Sequence, residues 1–358
     1  MNALGARIAR LIERQGPLSI AQFMTLALHD PRAGYYATRD PFGRTGDFIT
    51  APEVSQMFGE LLGLWIVETW RRQGAPAPAR LVELGPGRGT LMADALRAAR
   101  AAPDFLSAID VVLIESSPAL RGAQREILKD AGVAIDWRSG LGDDVTDRPP
   151  FVLANEFFDA LPIRQYVKTE RGWCERMVTA TDGALAFALA PVPVAGLAVP
   201  EARATAEPGA VYEISPSGTA MAEEIAQAIA LHGGAALIVD YGHDGTGFGD
   251  TLQAVTAHKF TEVLAAPGAA DLSAHVDFAA LAAASRHGGA KTYGPVAQGT
   301  LLDRLGLKER AAQLRRANPK DADAIDAAVA RLSGAREMGM LFRTLAILPE
   351  RAPPPPGF

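Results

Sequence analysis

The ten residues Leu81 to Thr90 read LVELGPGRGT: a short apolar run, an acid at Glu83, then Gly85, Gly87 and Gly89 alternating with Pro86 and Arg88. Glycines after a strand permit a tight turn and let backbone approach a ligand closely, and the unpaired N–H groups that open a following helix face the same spot. A nucleotide is the expected guest. The spacing is not the dinucleotide fingerprint G-x-G-x-x-G, because Thr90 stands in its sixth position, and no lysine follows the glycines as a P-loop requires. A second acid, Glu115, closes the next apolar run in VVLIESSPAL. Such an acid is either a solvated strand end or a partnered one, since acids are rarely buried alone.

A third group sits in LANEFFDALP, Leu153 to Pro162, where Asn155, Glu156 and Asp159 are set among apolar residues. Acids at a strand's carboxyl end are placed to meet a polar substrate group; the plainer alternative has Asp159 capping the turn before Pro162 and Glu156 facing water. Asp47, Thr50 and Glu53 lie in a loop with the helix-capping pattern T-x-x-E. His243, His258 and His275 match no zinc spacing and no cysteine joins them, so no metal site is expected. The single cysteine, Cys174, reads as incidental, and there is no G-x-S-x-G elbow for a hydrolase.

These groups need elements to hold them. At 358 residues, 48% apolar, the chain can bury a sizeable core. Short apolar runs at Leu81 to Leu84, Val111 to Glu115, Val133 to Ile135, Phe151 to Asn155, Ala235 to Asp240 and Leu341 to Ile347 alternate with helical patterns. This alternation predicts an α/β fold with a mostly parallel sheet covered by helices on both faces. Before it, residues 1–75 read as a helical region, with helices over Ala6 to Glu13, Ser19 to Ala27 after a cap at Ser19, and Glu53 to Arg71. Arg7, Arg10 and Arg14 give Met1 to Gln15 the look of a transit peptide, but Glu13 interrupts it and Ile8, Leu11 and Ile12 form a helical stripe.

The main domain is expected over 76–350, with insertions at about 164–214, opening with a hairpin, and about 242–280, carrying a helix over Val276 to Ala284. They follow the fourth and fifth strands, at the sheet edge where such folds build sites. The four prolines of 351–358 read as an extended, mobile tail. A net charge of −6 argues against a nucleic-acid partner, no apolar run is long enough for a membrane span, and one cysteine fits a reducing compartment.

The acid and Gly-x-Gly-x-Gly turn, with Glu115 ending the next strand, resembles the cofactor site of class I S-adenosylmethionine methyltransferases, which have a Rossmann-like fold. Three further segments sharpen this: YYATRDPFGRTGDFITAPEVSQMFGELLGLW, LANEFFDALP, and GDTLQAVTAHKF with DLSAHVDF. Together they resemble the MidA family, whose mitochondrial members are complex I assembly factors that methylate an arginine in a core subunit. The resemblance implies S-adenosyl-L-methionine as cofactor. It places Glu83, Gly85, Gly87, Gly89, Glu115, Ser116 and Asn155 around the cofactor, with the loop of Asp47 and Thr50 folded over it. Glu115 would take the ribose hydroxyls and Glu83 the amino acid end.

Glu156 is the first candidate to hold an acceptor guanidinium, with Asp159 and Glu53 behind it. The implied partner is a protein substrate, with a complex I core subunit or its bacterial counterpart as candidate; a homodimer is a candidate assembly. The implied location is the cytoplasm of a bacterium or the mitochondrial matrix of a eukaryote. Two alternatives stay open: a small-molecule methyltransferase, and a non-catalytic assembly factor that keeps the fold.

Overall fold

The computed structural model describes residues 1–38, 50–197, 199, 205–245 and 249–358. Its centre is a sheet of β1 (Ala79–Leu84), β2 (Ile109–Ile114), β3 (Ile135–Arg138), β4 (Pro150–Asn155), β5 (Ala235–His243), β6 (Lys291–Ala297) and β7 (Phe342–Leu348). They lie in the order β6-β7-β5-β4-β1-β2-β3. The first five are parallel, and β7 runs antiparallel to both β5 and β6. Successive side chains alternate between two buried faces. Leu81, Val111, Leu113, Phe151, Leu153, Leu237 and Val239 pack with the helices Gln56–Arg72 and Thr90–Ala99. Val82, Leu84, Val112, Val152, Ala154 and Ile238 pack with Pro216–His232 and Phe278–His287. Burial on both faces is why these strands read as continuous apolar runs. The chain order reverses between β1 and β4, and a ligand crevice opens at the carboxyl ends of strands at such a reversal.

The early helices take two different places. Ala3–Gln15 buries Leu4, Ile8 and Ile12, and Ile20–His29 starts from a complete capping box of Ser19 and Gln22. Both pack against the insertions, in a core that includes Ile163, Val178, Leu252 and Leu272. The helix expected over Glu53 to Arg71 is two helices, Ala51–Val54 and Gln56–Arg72, because Ser55 is fully extended and its hydroxyl accepts from the Met57 N–H.

The first insertion is larger than a hairpin. Strands Arg164–Thr169, Gly172–Thr181, Ala184–Leu189 and Val211–Ile214 form a sheet that also takes in Leu18–Ser19. The second holds the small sheet Gln253–Thr256, Lys259–Thr261 and Asp271–Ser273, and its helix begins at Phe278, capped by Asp277. The third strand starts at Ile135, where pairing with Val111 begins, and not at Val133.

The tail is packed, not loose. Trp65 Nε1 donates to the Pro356 carbonyl at 2.9 Å, Arg72 to Pro354 at 3.1 Å and Arg304 to Gly357 at 3.0 Å. Proline has no N–H but keeps its carbonyl, so side-chain donors can pin a proline run that no strand could pair with.

Candidate active site

The glycine turn leaves β1 along the path its sequence requires. Gly85, Gly87 and Gly89 all have positive φ, at 61°, 54° and 88°. Three bonds fix the turn: the Gly85 N–H donates to Ile114 O at 3.0 Å, the Gly89 N–H to Pro86 O at 2.7 Å, and Gln124 Nε2 to Gly87 O at 2.7 Å. Gly89 then opens the helix Thr90–Ala99. Between this turn and the end of β4 lies a cleft of about 390 Å3, walled by Thr50, Glu53, Glu83, Gly85, Gly87, Asn155 and Glu156 among others.

Glu83 occupies a position that the sheet would fill with an aliphatic residue, between Leu113 of β2 and Leu153 of β4. It is 3% exposed, and among the described residues its Oε2 has no hydrogen-bond partner; nor has the buried Asn155 Oδ1. Two buried acceptors without donors on one cleft wall are costly unless a ligand supplies the donors. The ammonium of an amino acid has three. The amino acid end of S-adenosylmethionine therefore fits this wall, directly or through a water.

Glu115 is buried, not a solvated strand end. Its Oε1 accepts from the Ser117 N–H at 2.7 Å and its Oε2 from Gln124 Nε2 at 3.4 Å. A carboxylate offers about four lone-pair sites, so capacity remains for ribose hydroxyls. Ser116, beside it, is exposed. We expect Glu115→Ala to weaken cofactor affinity by about 1.5–3 kcal/mol, the range for bonds to a charged group, which calorimetry reads directly.

Of the loop residues, Asp47 lies outside the described residues. Thr50 heads the helix Ala51–Val54 but makes no side-chain cap, so the T-x-x-E pattern does not close as a capping box. Glu53 instead accepts from Thr90 Oγ1 at 2.6 Å, which ties this helix to the one after the glycines.

Glu156 stands at φ 51°, and its side-chain hydrogen bonds among the described residues fall on Oε1: the Ala51 N–H at 3.1 Å and Asn155 Nδ2 at 3.2 Å. Asp159 is not among the cleft-lining residues; its carbonyl accepts from the Ala274 N–H of the second insertion.

The acids repel one another's charge. Burial, then Glu115, pushes Glu83 up to about 8. Burial and Asp159 push Glu156 up to about 7, against the Ala51 N–H, and burial pushes Asp159 up to about 6. Such a site favours a cationic guest. For Glu83 the native state holds a proton that the unfolded chain, near 4.5, has lost. Its contribution to stability is full below that value and is lost as pH rises through about 8. Glu83→Gln should therefore flatten the fall of the apo-protein's melting temperature between pH 5 and 9; parallel curves for parent and variant would contradict this.

Gln124 escaped sequence reasoning, although a signal was there. It and Leu120, four residues apart, are the buried pair of the helix Pro118–Ile127, so a polar residue stands on the apolar stripe. Its amide joins Gly87 to Glu115 and accepts from Trp137 Nε1 at 2.8 Å.

The sheet order, the glycine turn and the acid-lined cleft define a class I S-adenosylmethionine-dependent methyltransferase. Residues 61–296 match the model of a family described as S-adenosyl-L-methionine-dependent methyltransferases. The chain belongs to this family, the MidA family. It is 37% identical to mitochondrial protein arginine methyltransferase NDUFAF7 of Mus musculus, over 95% of this chain and 83% of that protein. The Homo sapiens protein of the same name is 37% identical over 95% and 82%. A solved COG1565 superfamily member from Burkholderia thailandensis, bound to S-adenosyl-homocysteine, superposes with a TM-score of 0.88 at 29% identity, covering 99% of this chain and 94% of that one.

Proposed function

We propose that the enzyme methylates an arginine of a protein, with a core subunit of respiratory complex I or its bacterial counterpart as the candidate substrate. The observation that carries this reading is Glu156: a half-buried acid on the cleft wall, with Oε1 held by Ala51 and Asn155 and Oε2 accepting no hydrogen bond among the described residues. The relatives named protein arginine methyltransferases support it. S-adenosylmethionine, when bound, supplies a methyl group on a positive sulfur. Glu83 and Asn155 would hold its amino acid end, the glycine turn its body and Glu115 its ribose.

A guanidinium is charged at any working pH and its nitrogen lone pairs are delocalised, so it must be gripped and oriented before it can attack. Glu156 Oε2 accepts from the guanidinium and holds one nitrogen in line with the methyl. The nitrogen so held would take up the methyl that the sulfonium gives up on becoming a neutral thioether. The proton then lost from nitrogen passes to Glu156, whose pKa of about 7 suits an acceptor at neutral pH, and on to water. Asp159, next to Glu156, adds negative charge for the same cation.

A helical region over 1–75 would cover the cofactor site, with a methyltransferase domain over 76–350, its insertions at about 164–214 and 242–280, and a proline-rich tail over 351–358. The work would take place in the cytoplasm of a bacterium or the mitochondrial matrix of a eukaryote, by a single chain or a homodimer. Labelled S-adenosylmethionine incubated with the protein and a cell lysate tests the substrate class by mass spectrometry. Label in a protein as methylarginine supports the reading. Label confined to small molecules would favour a metabolite methyltransferase, and no transfer at all a scaffold.

A further inference from the structure

Asp240 sits in β5 on the face that carries Ala236 and Ile238, where the sheet packs aliphatic residues, and it is 0% exposed. A carboxyl group there needs donors, and it finds four, all from backbone. Oδ2 accepts from the N–H groups of Phe157 at 3.1 Å, Phe158 at 2.8 Å and Asp159 at 3.3 Å; Oδ1 accepts from Tyr241 at 2.8 Å. The first three belong to the turn that follows Glu156.

The carbonyls of that turn have partners elsewhere, Phe158 O from the Leu161 N–H and Asp159 O from the Ala274 N–H, and Phe158 is buried in the core, but its three N–H groups bond to Asp240. The ladder between β4 and β5 ends at Asn155 beside Val239, and the Glu156 N–H makes one further bond, to Val239 O at 2.9 Å. Glu156 then adopts its positive φ, which side-chain-bearing residues seldom do. Successive N–H groups after such a residue converge into a concavity that binds an anion. Here the acceptor is internal, the Asp240 carboxyl.

We propose that Asp240 is a positioning residue for methyl transfer, holding the Glu156–Asp159 turn so that the Glu156 carboxylate stays on the cleft wall. The proposal rests on the assignment of Glu156 to the acceptor. Burial, with Asp159 and Glu156 close by, pushes the Asp240 carboxyl well above the usual range, while the N–H groups of Tyr241 and Phe158 act in the opposite sense. An aliphatic residue at this position would pack in the sheet yet leave three N–H groups of the turn without their acceptor.

Asp240→Asn keeps the shape but turns an NH2 toward either the three turn amides or Tyr241. In the variant, hydrogen exchange over residues 157–159 should speed at least tenfold. The initial rate of label transfer from S-adenosylmethionine into lysate protein should fall at least fivefold, with affinity for S-adenosyl-homocysteine within about threefold of the parent. Combined with Glu156→Gln, it should add less than a twofold further loss, because both changes act through one carboxylate. Independent, multiplying losses, or a parent transfer rate in Asp240→Asn beside an impaired Glu156→Gln, would overturn the proposal. Parent-rate transfer by Glu156→Gln would instead remove the acceptor assignment, a separate failure. Should Asp240→Asn not fold, the parent still decides: its amides at 157–159 must exchange as slowly as those of β4, and loop-like rates would overturn the anchoring.

Discussion

Gly85→Val should abolish S-adenosylmethionine binding while leaving the sheet folded. Gly85 has φ 61°, and a Cβ built there would lie 2.8 Å from Phe157 Cδ2. A side-chain-bearing residue in the left-handed region costs roughly 1–2 kcal/mol before any clash, and a β-branched one has the least freedom to relieve it. The turn can escape only by moving its backbone, and that backbone must lie against the cofactor. Displacement at Phe157 would also reach the neighbouring Glu156. Gly87, at φ 54°, carries the same strain, so Gly87→Val should behave alike. Calorimetry at ligand concentrations that saturate the parent should show no heat for either variant, with circular dichroism unchanged. Parent affinity in both would remove this turn from the cofactor site.

Glu156→Gln separates binding from chemistry. The amide keeps an oxygen for the Ala51 N–H and Asn155 Nδ2, so the wall of the cleft is retained and cofactor affinity should stay near the parent value. The charge proposed to grip the guanidinium and take up its proton is gone. Transfer should fall at least tenfold, about 1.4 kcal/mol of barrier, a modest demand beside the ~1.5–3 kcal/mol of one charge-assisted hydrogen bond. The pH profile gives a second readout. Glu156 must be ionised to act, so kcat/KM of the parent rises with pH through about 7, and this inflection should vanish in the variant. Asp159→Asn, one step back from the cleft, should lose less. Transfer at the parent rate by Glu156→Gln would send the search for the catalytic acid to Glu53.

How far these residues could be read beforehand depends on where their information lies. Gly85, Gly87 and Glu83 were legible because a ligand turn leaves its mark within ten consecutive residues, and each strand of the parallel sheet is a local apolar run. Asp240 was not, because its partners in the turn lie 81 to 83 residues away, and Gln124 showed only as a polar residue on an apolar stripe, with nothing to tie it to Gly87, 37 residues away. The parallel register that sets Val239 beside Asn155, and with it Asp240 against the Glu156 turn, leaves no trace in either segment alone. For Thr50 and Glu53 the local pattern left helix capping and a place at the site both open: the capping box does not form, Glu53 takes the hydroxyl of Thr90 instead, and both residues line the cleft. The proline tail misled because its docking depends on distant donors, Trp65, Arg72 and Arg304.

The cleft between the glycine turn and the end of β4 should seat the cofactor with its amino acid end on Glu83 and Asn155 and leave Glu156 for the acceptor. A crystal structure of this chain with S-adenosyl-homocysteine measures it directly. The expected result has the ligand's amino group bonded to Glu83 Oε2 and Asn155 Oδ1, directly or through one water, its ribose toward Glu115, and Glu156 Oε2 untouched by the cofactor. A ligand whose amino group lies away from Glu83 and Asn155, or whose own atoms occupy Glu156 Oε2, would contradict it.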